Sequence, residues 1–314
     1  MTRKLPDEVL LPLRELFDCR VYAEEDRPVA RDRLLEEVAT ADGVLSMLTE
    51  VIDAQLLASA PSLKVVSNMA VGYDNIDLEA ARARGVIVCN TPDVLTETTA
   101  DLTFALLLAA ARRVVESADF IRQGAWRSWA PFLLAGQDVH HKTLGLVGLG
   151  RIGSAVARRA QGFGMRILYT SRQRHEEAET TLSVVYKGLP ELLAESDFVC
   201  ILTPYTPQTH HLIGERELQW MKPSAILVNT ARGSVVDEQA LYRALRDRTI
   251  WGAGLDVFER EPVRADNPLL TLPNVVALPH VGSATVDTRM AMARQAAENL
   301  TDVLRGRTPR HRVV

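Results

Sequence analysis

The chain has 314 residues, 47% of them hydrophobic and 24% charged, which exceeds the roughly 100 to 200 residues of a single domain and predicts two. Its formal net charge of -4 argues against nucleic acid or an anionic membrane as a partner, and leaves a small molecule or a second copy of the chain. Cys19, Cys89 and Cys200 are too few and too scattered for a disulfide framework or a metal cluster; no metal is expected, and a reducing, cytoplasmic setting fits.

The amino-terminal "MTRKLPDEVLLPL" is charged and interrupted by Pro6 and Pro12, so it lacks the apolar core of a signal peptide. After it, "GVLSML" (43–48), "LKVVSNMA" (63–70) and "GVIVCN" (85–90) read as strands, separated by short helices in "DAQLLASAP" and "DLEAARARG". "TETTADLTFALLLAAARRVVESADFIRQGAW" predicts one long helix with Thr96 as its N-cap and an apolar centre buried on most sides. Its longest uncharged apolar stretch, 102–111, is about half of what a bilayer span requires.

A second alternation begins at "KTLGLVGLG" and runs through "RILYT", "DFVCILTP", "AILVNTA", "WGAGLDVF" and "NVVALPH". Strands alternating with helices predict an α/β fold with parallel sheets. The first unit is too short to close its own sheet, and "ATVDTRMAMARQAAENLTDVLRG" (284–306) is an amphipathic helix left over at the end. Because domain termini tend to meet, this helix is expected to return to the first unit. The expected division is a discontinuous substrate-binding domain, 1–95 plus 285–314, and a dinucleotide-binding domain, 96–284.

"TLGLVGLGRIGSAVARRA" sets Gly148, Gly150 and Gly153 in GxGxxG spacing between a strand and a helix. In that context the first glycine allows a tight turn, the second admits a pyrophosphate to the backbone, and the third lets helix and strand pack closely. Amides at the helix start would hold the diphosphate. The fold class expected is therefore two Rossmann-like, doubly wound parallel-sheet domains. The next strand ends at Thr170, where a fold using NAD normally has an acid for the adenosine ribose. Here "SRQR" follows, with Ser171 in place of the carboxylate. Ser171 can donate to a 2′-phosphate and Arg172 can pair with its charge. Arg174 is a second candidate, or simply solvated, since only five of the 36 basic residues are lysine. NADP(H) is expected over NAD(H).

Three further strand ends concentrate polar residues: "LVNTARGSVVD" with Arg232, "GLDVFEREP" with Asp256 and Glu261, and "VALPHVGSAT" with His280. Each alone reads as a turn or loop. As an ordered set, with "GVLSMLTEVIDAQLLASAPSLKVVSNMAVGYDNID" and "GRIG" before them, they resemble the D-isomer-specific 2-hydroxyacid dehydrogenase family over nearly the whole chain. "NTPDVLTETTADLTFALLLAAARR", "GAWRSWAPF", "ILYTSRQ" and "LPHVGSAT" look most like its glyoxylate and hydroxypyruvate reductases, which commonly favour NADPH.

The resemblance implies reduction of a small 2-oxoacid to the D-2-hydroxyacid. His280 would give the proton, Glu261 would orient its ring, and Arg232 would bind the carboxylate and carbonyl. Asp256 would position the nicotinamide carboxamide. It also implies Val71, Gly72 and Ser283 at the substrate. At the cofactor it implies Arg151 and Ile152 on the glycine loop, Gln173, Thr203, Pro204, Thr230, Ala231 and Gly282. Met47 and Leu48 could line the substrate side or belong to the core. Trp126 and Trp129 lie on a loop that, in the reductases, reaches a partner subunit; a homodimer is expected, with the long apolar helix at its core. Alternatives are a 2-ketogluconate reductase, a phosphoglycerate dehydrogenase lacking its regulatory domain, and a phosphite dehydrogenase. A dinucleotide-sensing corepressor shares the fold but would be expected to carry regulatory tails, and this chain ends eight residues after "LRG".

Overall fold

All ten strands pair in parallel with their sheet neighbours, as the alternation of apolar runs with helical patterns requires. The structure, a computed structural model, describes residues 1–314 and divides into two units, 1–95 with 284–314, and 96–283.

The first unit contains α1 (Asp7–Leu16), α2 (Arg31–Val38), β1 (Gly43–Ser46), α3 (Ala54–Ala58), β2 (Val65–Asn68), α4 (Leu78–Ala83) and β3 (Ile87–Cys89). The last long helix, α12 (Val286–Leu304), also belongs to it. Its sheet runs β1-β2-β3. Period-2 alternation sends Val44, Val66 and Val88 to one face, where they bury against Leu34, Val38, Leu56, Leu57 and Ala81 of the helices. The opposite face takes α12, with the Ser67 hydroxyl donating to the Ala296 carbonyl at 2.7 Å. Irregular chain seals both edges: Thr2 N–H donates to the Leu45 carbonyl at 3.1 Å, and Val88 N–H to the Val314 carbonyl at 3.1 Å. Pro12 does not interrupt the amino-terminal segment; it lies inside α1, which starts after Pro6.

The second unit comprises α5 (Thr96–Ala111), α6 (Val114–Arg122), β4 (Thr143–Val147), α7 (Arg151–Gln161), β5 (Arg166–Thr170), α8 (Glu176–Leu182), β6 (Val184–Tyr186), α9 (Leu189–Glu195), β7 (Phe198–Ile201), α10 (Glu215–Trp220), β8 (Ile226–Asn229), α11 (Glu238–Arg246), β9 (Gly252–Leu255) and β10 (Val275–Ala277). The sheet order β10-β9-β8-β7-β4-β5-β6 reverses direction at β4. The crevice beyond the carboxyl ends of β4 and β7 is the topological switch point, where such sheets bind ligands. β7 and β8 are buried along their whole length, because α5 and α7 cover one face and α9, α10 and α11 the other.

The long helix expected after residue 95 is two helices. α5 stops at Ala111 because its carbonyl accepts from Gln137 N–H at 2.8 Å, and Arg113 takes a left-handed φ of 52°. There Arg113 forms a two-pronged pair with Glu116, at 2.8 and 2.7 Å, inside the next helix. Thr96 is the first helical residue of α5, one place inside the expected cap. The edge strand β6, Val184 to Tyr186 with the last two residues exposed, is too short for its apolar run to show a strand period. No helix is long and apolar enough to cross a membrane.

Candidate active site

The glycine loop follows β4 directly. Gly148 has a φ of 107°, and a Cβ there would stand 2.8 Å from the Leu202 carbonyl carbon and the Thr203 nitrogen. Only glycine meets both demands. A Cβ on Gly153 would land on the Gly148 carbonyl oxygen, so the third glycine is what lets α7 start hard against the loop. A Cβ on Gly150 would meet nothing within 4 Å; the chain leaves that space open at the start of a helix whose first N–H groups have no intrahelical acceptor. An open cradle over helical amides at the switch point fits a dinucleotide diphosphate. Arg151 and Ile152 are the first two residues of α7, while Thr203, just past the end of β7, abuts Gly148 through its backbone nitrogen and Pro204 follows it in the chain.

Gly148 N–H also donates to the Thr170 carbonyl at 2.9 Å, which ties the end of β5 to the glycine loop and brings Ser171 beside it. The Ser171 hydroxyl donates to the Gln173 carbonyl, closing a tight turn. Arg172 is exposed. Arg174 is not simply solvated: its guanidinium pairs with Glu179 at 2.8 and 2.7 Å. Glu179 also accepts from the Tyr169 hydroxyl at 2.7 Å; Arg174 and Tyr169 together hold its carboxyl down to about 2.

Farther along the same sheet edge, His280 Nδ1 lies 2.7 Å from Glu261 Oε2. Glu261 Oε1 accepts from Phe258 N–H at 3.0 Å. Burial pushes the Glu261 carboxyl up, but the His280 hydrogen bond and charge, the Phe258 amide and the Arg232 guanidinium outweigh it, and the net direction is down. An ionised carboxylate only accepts, so Nδ1 carries the proton and Nε2 is the ring atom left for chemistry.

His280 has a φ of 55°, and Asp256 holds it there. The Asp256 carbonyl accepts from His280 N–H, and its two carboxylate oxygens accept from Val281 and Gly282 N–H, all at 2.8 Å. Asp256 is 1% exposed. Its burial raises the carboxyl above the ordinary range, the two amides and His280 offset this only in part, and Glu261 adds to it. Arg232 precedes a short turn at Gly233–Val235. Gly233 presses so closely on the Phe258–Glu259 backbone that no side chain would fit, which fixes Arg232 relative to the segment bearing Glu261. Thr230 shares a hydrogen bond with Thr103 of α5 at 2.7 Å. Ala231 N–H donates to Asn229 Oδ1 at 3.1 Å, and Asn229 Nδ2 donates to the Arg232 carbonyl at 2.9 Å.

Residues 104–282 match the family model "D-isomer specific 2-hydroxyacid dehydrogenase, NAD binding domain". The chain belongs to this family. A glyoxylate reductase from Korarchaeum cryptofilum is 52% identical over 310 residues, covering 98% of this chain and 93% of that protein. One from Pyrococcus furiosus is 50% identical over 313 residues, covering 98% and 93%. Among solved structures, a Thermus thermophilus protein superposes with a TM-score of 0.94 at 49% identity, covering 100% of this chain and 98% of that one. An NADPH-dependent glyoxylate/hydroxypyruvate reductase from Sinorhizobium meliloti, in complex with NADP and malonate, gives 0.87 at 37% identity, covering 99% and 95%. This 2-hydroxyacid dehydrogenase is an enzyme that uses a nicotinamide dinucleotide.

In the first unit of the dehydrogenase, Val71 and Gly72 lie in the loop after β2, and Met47 and Leu48 in the loop after β1, both half-buried. Ser283 closes the second unit, next to the turn held by Asp256. Three asparagines that sequence reasoning passed over stand at strand ends: Asn68 ends β2, Asn90 follows β3 and Asn229 ends β8. Their signal was an asparagine at the close of a strand run, directly after apolar residues at Asn90 and Asn229 and after Ser67 at Asn68, a residue type that fixes turns by bonding nearby backbone. The loop aromatics are not packed within the chain: Trp126 is 57% exposed, Trp129 78% and Phe132 87%. α6 buries none of its residues. α5, expected at the core of a dimer, instead spends its apolar side on its own sheet and α7.

Proposed function

We propose that this dehydrogenase reduces glyoxylate and hydroxypyruvate to their hydroxyacids, the D isomer where the product is chiral, with NADPH preferred over NADH. The observation that carries the reading is the His280–Glu261 pair, 2.7 Å apart and buttressed by Asp256. Gly148, Gly150, Gly153 and the first amides of α7 would hold the diphosphate. The bound nicotinamide supplies the hydride. His280 Nε2 gives the proton to the carbonyl oxygen, and takes it back in the reverse direction. Glu261 stabilises the ring while it is charged. The planar fork of Arg232 binds the carboxylate and polarises the carbonyl. On the first unit, the substrate-binding domain in this reading, Val71 and Gly72 amides receive the carboxylate; Ser283 is a further substrate contact. Asp256 has both carboxylate oxygens on backbone amides, and each oxygen keeps a second lone pair for the carboxamide.

The absence of an acid at Ser171 supports NADPH, since nothing there repels a 2′-phosphate and Arg172 is exposed to pair with it. The exposed Trp126, Trp129 and Phe132 support a homodimer. Three free cysteines suit a reducing compartment such as the cytoplasm.

The test is a steady-state screen of glyoxylate, hydroxypyruvate and 2-ketogluconate with each cofactor. Glyoxylate and hydroxypyruvate are expected to have the highest kcat/KM, and NADPH to exceed NADH. A stronger response to 2-ketogluconate would move the substrate assignment. Wild-type-like turnover by His280→Ala would remove the mechanism.

A further inference from the structure

In the loop after β2, three successive carbonyls are each claimed by a donor from a strand end. Thr91 N–H donates to the Ala70 carbonyl at 2.9 Å, Asn90 Nδ2 to the Val71 carbonyl at 2.9 Å, and Asn68 Nδ2 to the Gly72 carbonyl at 3.0 Å. The Asn68 amide cannot rotate away: it is fully buried, and its Oδ1 accepts from the Ser46 hydroxyl at 3.1 Å. Asn75 braces the far side of the loop, donating to the Glu50 carbonyl at 2.8 Å and the Met47 carbonyl at 3.2 Å.

These peptides are trans; the one cis bond in the chain is Glu261–Pro262. In a trans peptide the carbonyl and the following N–H point in opposite directions. Fixing the Ala70, Val71 and Gly72 carbonyls toward the ends of β2 and β3 therefore aims the N–H groups of Val71, Gly72 and Tyr73 away from them. None of the three is used in the loop's own backbone hydrogen bonds. Successive N–H groups facing one way form a concavity for an anion, and a carboxylate offers lone pairs for all three.

We propose that Asn68 and Asn90 are positioning residues that hold three consecutive amides, Val71, Gly72 and Tyr73, as the cradle for the substrate carboxylate. The proposal rests on the 2-oxoacid reading and extends it. Tyr73 adds a third donor through its backbone alone, and the two asparagines act without touching the substrate. Asn90 sets the Gly72 amide and Asn68 sets the Tyr73 amide.

The test compares wild type with Asn90→Leu, which keeps the volume and loses the donor, and with Asn90→Ser should the leucine variant prove insoluble. A misaimed amide is expected to raise the KM for glyoxylate about 10-fold, with the KM for NADPH unchanged. Turnover of glycolaldehyde, an aldehyde with no carboxylate, should be spared, so the glyoxylate-to-glycolaldehyde ratio of kcat/KM falls. Equal losses on both aldehydes would overturn the cradle and leave a merely structural asparagine. A second readout does not depend on turnover. Oxalate titrated into the 15N-labelled protein should shift the Val71, Gly72 and Tyr73 amide resonances in wild type and not in Asn90→Leu. Unmoved resonances in wild type would refute the cradle, whereas shifted resonances without 2-oxoacid turnover would refute the activity and keep the cradle.

Discussion

His280 donates through Nδ1 to a Glu261 carboxylate that is itself fixed by the Phe258 amide, at 2.7 and 3.0 Å. Glu261 is held below its ordinary value, so its contribution is present above the unfolded value, about 4.3, and is lost as pH falls through the lower folded one. Glu261→Gln should therefore lower Tm by a constant amount between about pH 6 and 8, and the gap to wild type should close in acid. The same variant should lose about 10²-fold in kcat/KM for glyoxylate, since the ring loses its orienting charge. Thermal melts and rates across pH check both.

Asp256 carries the opposite sign. Its carboxyl is raised by burial, so the folded state binds the proton more tightly than the unfolded one. Stability from this group falls as pH rises from about 3.9 through the raised folded value. Asp256→Asn removes that slope but leaves one of the Val281 and Gly282 amides facing an NH2 group. The expected result is a flatter Tm profile above pH 4 together with a fall in kcat of about 10-fold or more, because the left-handed turn under His280 loosens. A steeper profile in the variant would contradict the direction assigned to Asp256.

Ser171→Asp places a carboxylate where a 2′-phosphate would sit. It should lower kcat/KM with NADPH by about 10²-fold and leave NADH turnover intact or improved. Arg172→Ala should cost NADPH about 10-fold with little change for NADH. Arg174 is already committed to Glu179, so Arg174→Ala should change the NADPH-to-NADH ratio least. A larger effect at Arg174 than at Arg172 would exchange their roles.

The exposed apolar surface predicts assembly. Trp129 and Phe132 stand out of a loop that follows a helix with no buried residue, and such surface is normally covered by a partner. Sedimentation velocity should find wild type near twice the 34.7 kDa chain mass. Phe132→Glu combined with Ile121→Arg should shift it toward the monomer; a wild-type monomer would remove the dimer from the reading.

What could be read in advance was local, and what could not was set by distant partners. Gly148, Gly150 and Gly153 carry their geometry in their spacing, because a strand, a turn and a helix start follow one another in ten residues of chain. The break at Arg113 was hidden because the group that ends α5 is the Gln137 amide, on a loop the helix pattern says nothing about. β6 was missed because an edge strand of three residues, with Val184 alone buried and Val185 and Tyr186 exposed, is too short to set a period. Asn68 reads as an interior residue of the run 63–70 and Asn90 as the last residue of the run 85–90; their hold on the Gly72 and Val71 carbonyls comes from the loops that β2 and β3 place side by side.

Two of the glycines should separate folding from binding. A methyl at Gly150 meets no atom within 4 Å, and glycine and alanine differ by less than about 1 kcal/mol at a helix N-cap. Gly150→Ala should melt close to wild type while its KM for NADPH rises about 10²-fold, since the methyl fills the space a diphosphate needs. At Gly153 the methyl would overlap the Gly148 carbonyl oxygen, so Gly153→Ala has to push α7 away from β4 and should cost about 1 to 3 kcal/mol. Its cofactor affinity would fall only as the loop follows the displaced helix. Melting curves and NADPH titrations on the pair give a crossed pattern, stability lost at Gly153 and affinity lost at Gly150. The reverse pattern would mean that the open space above Gly150 serves packing and that the diphosphate lies elsewhere.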